Sequence, residues 1–170
     1  MRIRGSRKKR YKKVRYKKVK TPKSIAWDWM SRWVRLKAVI ETSKKFGFDS
    51  RDALAQCYTC GKFVGITRRG GGQAGHFKTR GQGGSSGLYF DDRAIRLQCA
   101  TCNSFEQGRP KEFREGLVNE YSEETVQELE RLHSLPSRWG PREYQGLILY
   151  YETEVQQLLK QTGIRVWWSK

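Results

Sequence analysis

Two short runs decide the fold: C57-Y-T-C60 and, after 38 intervening residues, C99-A-T-C102-N103. A Cys-x-x-Cys pair lets two thiolates converge on one ion, and two such pairs complete the tetrahedron of a structural zinc site. Cys57, Cys60, Cys99 and Cys102 are therefore read as zinc ligands. Two disulfides would need an oxidising compartment, yet the opening MRIRGSRKKR carries charge with no apolar stretch behind it and is not a secretory signal. A redox role for the pairs would need a βαβ pattern, which is missing. Four thiolates leave the zinc no position for substrate, so any chemistry must use other residues.

The long gap between the pairs has room for a β-hairpin and a loop, and the second pair opens what reads as a helix, CATCNSFEQG. Knuckle, hairpin and helix describe a treble-clef, or ββα-metal, arrangement inside an α+β fold. The glycine-rich stretch RRGGGQAGHFKTRGQGGSSG shows no apolar period and reads as strand fragments joined by loops. It contains no GxxxxGK[ST], which excludes a P-loop.

Around this core the pattern is helical. Ala26, Trp29, Trp33, Leu36 and Ile40 fall three and four apart, predicting an amphipathic helix over 24–47 that Gly47 stops, with Arg32, Arg35 and Lys37 on its polar face. The tryptophans read as packing residues. Phe113, Leu117, Val118 and Tyr121 make a short face, and Ser122 suits the N-cap of a helix carrying Val126, Leu129 and Leu132. Pro141 suits the first position of a longer helix with Leu147, Ile148, Tyr151, Val155, Leu158 and Leu159 inward, ended by Gly163. The expected division is a basic arm at 1–23, the helix at 24–47, the zinc core at 52–108, a helical part at 109–163 and a tail at 164–170.

Charge is concentrated in the arm. The formal net charge is +18; residues 1–23 hold 13 Lys or Arg and no acid, leaving 22 basic and 17 acidic side chains elsewhere. A segment so poor in apolar residues cannot bury a core and is expected to be disordered. Its expected partner is a polyanion, bound through counterion release by residues such as Lys8, Lys9, Arg10, Lys12 and Lys13, with Tyr11 and Tyr16 available to stack on bases. No apolar run approaches the roughly 20 residues that span a bilayer, so no membrane partner is expected and the expected location is cytoplasmic.

Two further features stand beside the cysteines: His76 inside A-G-H-F, and Asn103 directly after Cys102. This spacing resembles the HNH nuclease motif. The run CYTC, then AGHF, then YFDDRAIRLQCATCN, with TVQELERLH and RW downstream, resembles the phage NinG (Rap) recombination proteins over about residues 52–160. The resemblance implies a structure-specific endonuclease acting on branched DNA such as D-loops and Holliday-type junctions. It makes His76 the general base and Asn103 a ligand of a catalytic Mg²⁺ or Mn²⁺, in the cytoplasm of the phage host. Hydrolysis of a phosphodiester needs a base poised near neutrality and a hard cation to offset charge, and these residue types supply both.

The sequence departs from the HNH pattern in three places. Ala94 stands where an Asn is usual, Gly75 where many members have a metal-binding Asp, and Glu106 where a Lys is common. Asp91 and Asp92 are the nearest acids to complete the cation's ligand set. Arg68, Arg69, Lys78, Arg80, Arg93 and Arg96 flank the site and are read as phosphate contacts; His133 reads as a helix-end charge. Recombination proteins and a second copy of the chain, through the Trp face of 24–46, are the protein partners considered. The competing functions are a non-catalytic zinc module that binds nucleic acid and a ribonucleoprotein assembly factor.

Overall fold

The structure, a computed structural model, describes residues 19–67, 71–78, 86–136 and 139–168. The basic arm with Lys8, Lys9, Arg10, Lys12 and Lys13, and the loop residues Arg68, Arg69 and Arg80, lie outside the described residues.

The chain runs α1 (Pro22–Phe46), β1 (Leu54–Gln56), β2 (Phe63–Gly65), β3 (Gln73–His76), β4 (Ile95–Gln98), α2 (Pro110–Glu120), α3 (Glu123–His133) and α4 (Pro141–Thr162). β1 and β2 form one antiparallel pair and β3 and β4 another, with Gln73 opposite Gln98 and His76 opposite Ile95. Mixed α and β elements around two small antiparallel sheets agree with the expected class.

Local chemistry fixes the helix ends. Thr21 accepts from the Ser24 amide and Pro22 opens α1, while Gly47 at φ 74° closes it. Ser122 accepts from the Thr125 amide to cap α3, and Gly163 at φ 65° closes α4. A left-handed cap costs glycine nothing and returns a donor to the helix's last carbonyls.

α1 is the hub, packed against α4 on one side and β1, β3 and β4 on the other. Its buried set is accordingly broader than the single stripe read from the sequence: Met30, Val34 and Val39 join Ala26, Trp33 and Leu36, whereas Trp29 and Ile40 are only half-buried. A helix sandwiched between two layers buries more than one face. The segment expected to be a tail returns to this core, with Ile164 and Val166 buried in it. A second cluster of Phe77, Leu88, Ala94, Phe113, Leu117, Val126 and Leu129 lies under α2 and α3.

The helix expected on the second cysteine pair is a single π turn, Thr101–Phe105, closed by the Glu106 amide on the Thr101 carbonyl. It stops because Gln107, Gly108 and Arg109 all take positive φ, and Pro110 then starts α2 in a new direction.

Candidate metal centre and the histidine hairpin

The first cysteine pair forms the turn between β1 and β2. The Cys57 amide donates to the Lys62 carbonyl and the Gly61 amide returns to the Cys57 carbonyl, a tight reversal that Gly61 permits at φ 72°. The second pair follows β4 without a break. The knuckle is pinned to that strand by the Tyr58 amide on the Leu97 carbonyl and by the Cys99 amide on Cys57 Sγ at 3.2 Å.

All four sulfurs lie within 4.8 Å of one another, and Cys60 Sγ is 3.9 Å from Cys99 Sγ. A tetrahedron with Zn–S bonds of about 2.3 Å has edges of about 3.8 Å, so the cluster fits a zinc ion. Burial pushes the Cys57 thiol up, but amide donors from Cys99 and Cys60 and the Thr59 hydroxyl outweigh it and bring the pKa to about 6. Burial pushes the Cys102 thiol up as well, and there it prevails, raising the pKa to about 12. A cation would relieve this crowding of sulfurs by taking them as thiolates.

Gln98, the residue before Cys99, is fully buried and ties three segments together. Its Nε2 donates to the Gly108 carbonyl at 2.7 Å and to Thr59 Oγ1 at 3.1 Å. Its Oε1 has no hydrogen-bond partner and lies against Gly75, where an added Cβ would come within 2.1 Å of it and 2.9 Å of Asn103 Oδ1. The oxygen rests on the Gly75 Cα–H, a weak donor. This is why position 75 cannot carry the Asp many HNH members place there. Asn103 is held beside it by its Nδ2, which donates to Gln73 Oε1 at 2.6 Å, and Ser104 Oγ adds a second donor to the same oxygen.

His76 ends β3. Its ring stacks on Trp27 of α1 at 4.3 Å and 22°, and Nε2 lies 3.1 Å from the Tyr89 carbonyl oxygen. A carbonyl only accepts, so Nε2 carries a proton and donates it to Tyr89. The Phe77 amide donates to the Ala94 carbonyl at 2.8 Å. Position 94 is wholly enclosed by the second apolar cluster, where an Asn side chain would lack partners. The hairpin is therefore braced by Trp27, the Tyr89 carbonyl and the backbone at 94.

Consecutive strand residues face opposite sides. His76 and Ala74 face α1, whereas Gly75 faces Gln98 and Asn103. The fold thus brings Asn103 to the residue next to His76, on the other face of the strand. Asp91 caps the 3₁₀ turn Asp92–Ala94, and both its oxygens are taken by Arg93, at 3.0 and 2.8 Å. Asp92 lines a cleft with Arg96, Glu120 and Tyr121. The described flanking cations are all ion-paired: Lys78 to Glu130 (3.0 Å), Arg93 also to Glu128 (3.6 Å), and Arg96 to Glu120 (2.6 Å). Burial alone would lower the Arg96 pKa, but Glu120 more than offsets it and keeps the guanidinium charged. Glu106 pairs with Arg109.

Sequence reasoning missed Trp27, Tyr89, Gln73 and Gln98 as site-building residues. Gln98 had a signal, since a polar residue inside the apolar run A-I-R-L-Q-C must find partners if buried. The others are brought in by tertiary packing that no local pattern encodes.

A family model described as "Bacteriophage Lambda NinG protein" matches residues 2–161. "Protein ninG" of Escherichia phage 933W is 30% identical over 108 residues, 64% of this chain and 50% of that protein. "Protein ninG" of Escherichia phage lambda and of Salmonella phage P22 are each 28% identical over the same length and shares. The chain spans about half the length of these curated relatives. No solved structure matches it. Among the described residues no helix is long and apolar enough to cross a membrane. With the match running from residue 2 to residue 161, the chain belongs to the phage NinG family.

Proposed function

We propose that the chain is a metal-dependent endonuclease of branched DNA, in which a zinc-braced treble-clef hairpin of the HNH type presents His76 to the scissile phosphate. The observation that carries this reading is the continuity of β4: it pairs with His76 at one end and enters Cys99 at the other, and one π turn later Asn103 returns to Gly75. The preference for branches such as D-loops and Holliday-type junctions follows from the family resemblance, as does action in the host cytoplasm.

In this reading Nδ1 of neutral His76 takes a proton from water, and the resulting hydroxide attacks phosphorus in line while the opposite P–O ester bond breaks. The Tyr89 carbonyl holds the ring, and the Trp27 face stabilises the imidazolium that forms. Asn103 would hold a Mg²⁺ or Mn²⁺ through Oδ1, with Asp92, or with Asp91 once Arg93 releases its carboxylate; the ion supplies charge compensation on the phosphate. Lys78, Arg93 and Arg96 exchange their carboxylate partners for phosphates when DNA binds, joined by Arg68, Arg69, Arg80 and the basic arm.

The opposite facing of His76 and Asn103 favours a second reading, a non-catalytic zinc module that binds nucleic acid. One experiment separates them. Purified protein is incubated with a labelled four-way junction, a D-loop and a linear duplex, with Mg²⁺, with Mn²⁺ and with EDTA. The expected outcome is metal-dependent cutting of the branched substrates and a His76→Ala variant that binds without cutting. Intact substrates in both metals leave only the binding module, and equal cutting of linear duplex removes the branch preference.

A further inference from the structure

Away from the histidine hairpin the surface carries a strip of aromatic rings. Phe46, Phe48 and Phe63 are 40%, 39% and 45% exposed. They hold one another: Phe46 and Phe48 stack at 6.0 Å, and Phe63 meets each edge-on at 5.1 and 5.4 Å. Backbone geometry fixes their positions. Phe46 ends α1 and Gly47 turns the chain in its left-handed cap; Ser43 Oγ donates to the Phe48 carbonyl, and Phe63 sits in β2 opposite Gln56. By strand alternation Leu54, which is 37% exposed, and Gly65 share the Phe63 face of the β1–β2 pair. Nothing lies within 4 Å of where a Gly65 Cβ would stand, so that face is open to a flat partner.

Exposed phenylalanines are costly on a surface unless something covers them. Charge indicates what does. Lys45 Nζ stands 5.2 Å from the Phe46 ring, and Lys44 and Lys62, next to or near ring-bearing positions, are exposed. Among the described residues no carboxylate pairs with any of these three lysines, in contrast to Lys78, Arg93 and Arg96. The acids of the same stretch, Asp49 and Asp52, both act on Arg51. A chain of formal net charge +18 also repels its own copies.

We infer that Phe46, Phe48 and Phe63 form a stacking platform for the unpaired bases of single-stranded DNA, with Lys44, Lys45 and Lys62 meeting its phosphates. Rings already held by one another and by the backbone lose little freedom on stacking. The inference rests on the reading of the chain as a DNA-binding protein and gives it a second contact, for the unpaired arm of a branched substrate.

The test is fluorescence anisotropy with the full zinc-loaded chain and no added Mg²⁺ or Mn²⁺, using a labelled oligothymidylate and a labelled blunt duplex. Leucine at all three positions (F46L, F48L, F63L) keeps the surface apolar and removes the π faces. The expected result is about tenfold or greater weakening for the oligothymidylate, an unchanged duplex affinity and an unchanged circular dichroism spectrum. Equal affinity of wild type and variant for the single strand overturns the platform and leaves the endonuclease reading standing. Absence of wild-type binding to either probe overturns both. A wild-type dimer in sedimentation that the leucine variant abolishes also overturns the platform, making the strip an interface between copies.

Discussion

Replacing Gly75 by alanine places a methyl carbon 2.1 Å from Gln98 Oε1 and 2.9 Å from Asn103 Oδ1, where ordinary contact begins at 3.4 Å. The Gln98 amide would have to retreat by more than an ångström, yet it is fully buried and its Nε2 is fastened to Gly108 and Thr59. Overpacking of this kind costs about 1–3 kcal/mol. Each hydrogen bond surrendered by the retreat adds about 1 kcal/mol. The expected loss is therefore about 2–5 kcal/mol, a large share of the roughly 5–15 kcal/mol that holds a domain folded. Urea unfolding followed by tryptophan fluorescence, with zinc in constant excess, measures it. The decisive arm is the double variant: with Gln98→Ala already present the nearer oxygen is gone and only Asn103 Oδ1 at 2.9 Å must give, so adding Gly75→Ala should cost clearly less than in the native background, about 1 kcal/mol. A neutral Gly75→Ala, or a cost that is the same in both backgrounds, would refute the account of why glycine stands before the histidine.

Two further outcomes follow from the metal centre and from α3. Purified protein should carry a single zinc per chain; Cys102→Ser or a strong chelator should remove it and collapse the urea midpoint, because binding energy at such sites is folding energy. A zinc-free protein with an unchanged midpoint would contradict the assignment. Burial pushes the Glu130 carboxyl up, but Lys78 and Arg114 outweigh it and hold it below the usual carboxylate range. A group with a depressed folded pKa stabilises above its unfolded value of about 4.3, and that contribution fades as pH falls through the folded pKa. Glu130→Gln should thus lower stability at neutral pH and flatten the acid-side decline below about pH 5. An unchanged slope in a pH series of unfolding midpoints would remove the ion pairs from the account.

The elements easiest to read were those set by local chemistry. The four cysteines announce their convergence by spacing, and Gly47, Ser122, Pro141 and Gly163 mark helix ends because caps act within a few residues. Periodicity gave the faces of α3 and α4 but only half of α1, since a stripe says which side is buried and not that a second layer covers the other. The helix expected at Asn103 shrank to a π turn because three successive positive-φ residues are a tertiary outcome with one glycine among them. Lys78 and Arg96 find carboxylates 52 and 24 positions away, pairings that leave no local trace. His76 and Asn103 were legible as candidates from their places beside the cysteines; their opposite facing depends on strand alternation and was not.

The N-terminus of α1 has a consequence for kinetics. Lys20 reaches Asp28 at 2.5 Å, and Lys23 sits 4.3 Å over the ring of Tyr89, whose carbonyl holds His76. The basic arm therefore joins the described fold at the wall of the histidine site. Under the proposed function, a polyanion bound by the arm would be delivered next to His76, and its local concentration there would depend on the number of residues between its contacts and Val19. On that proposal, arm length would be a control on encounter rate separate from the residues of the histidine hairpin.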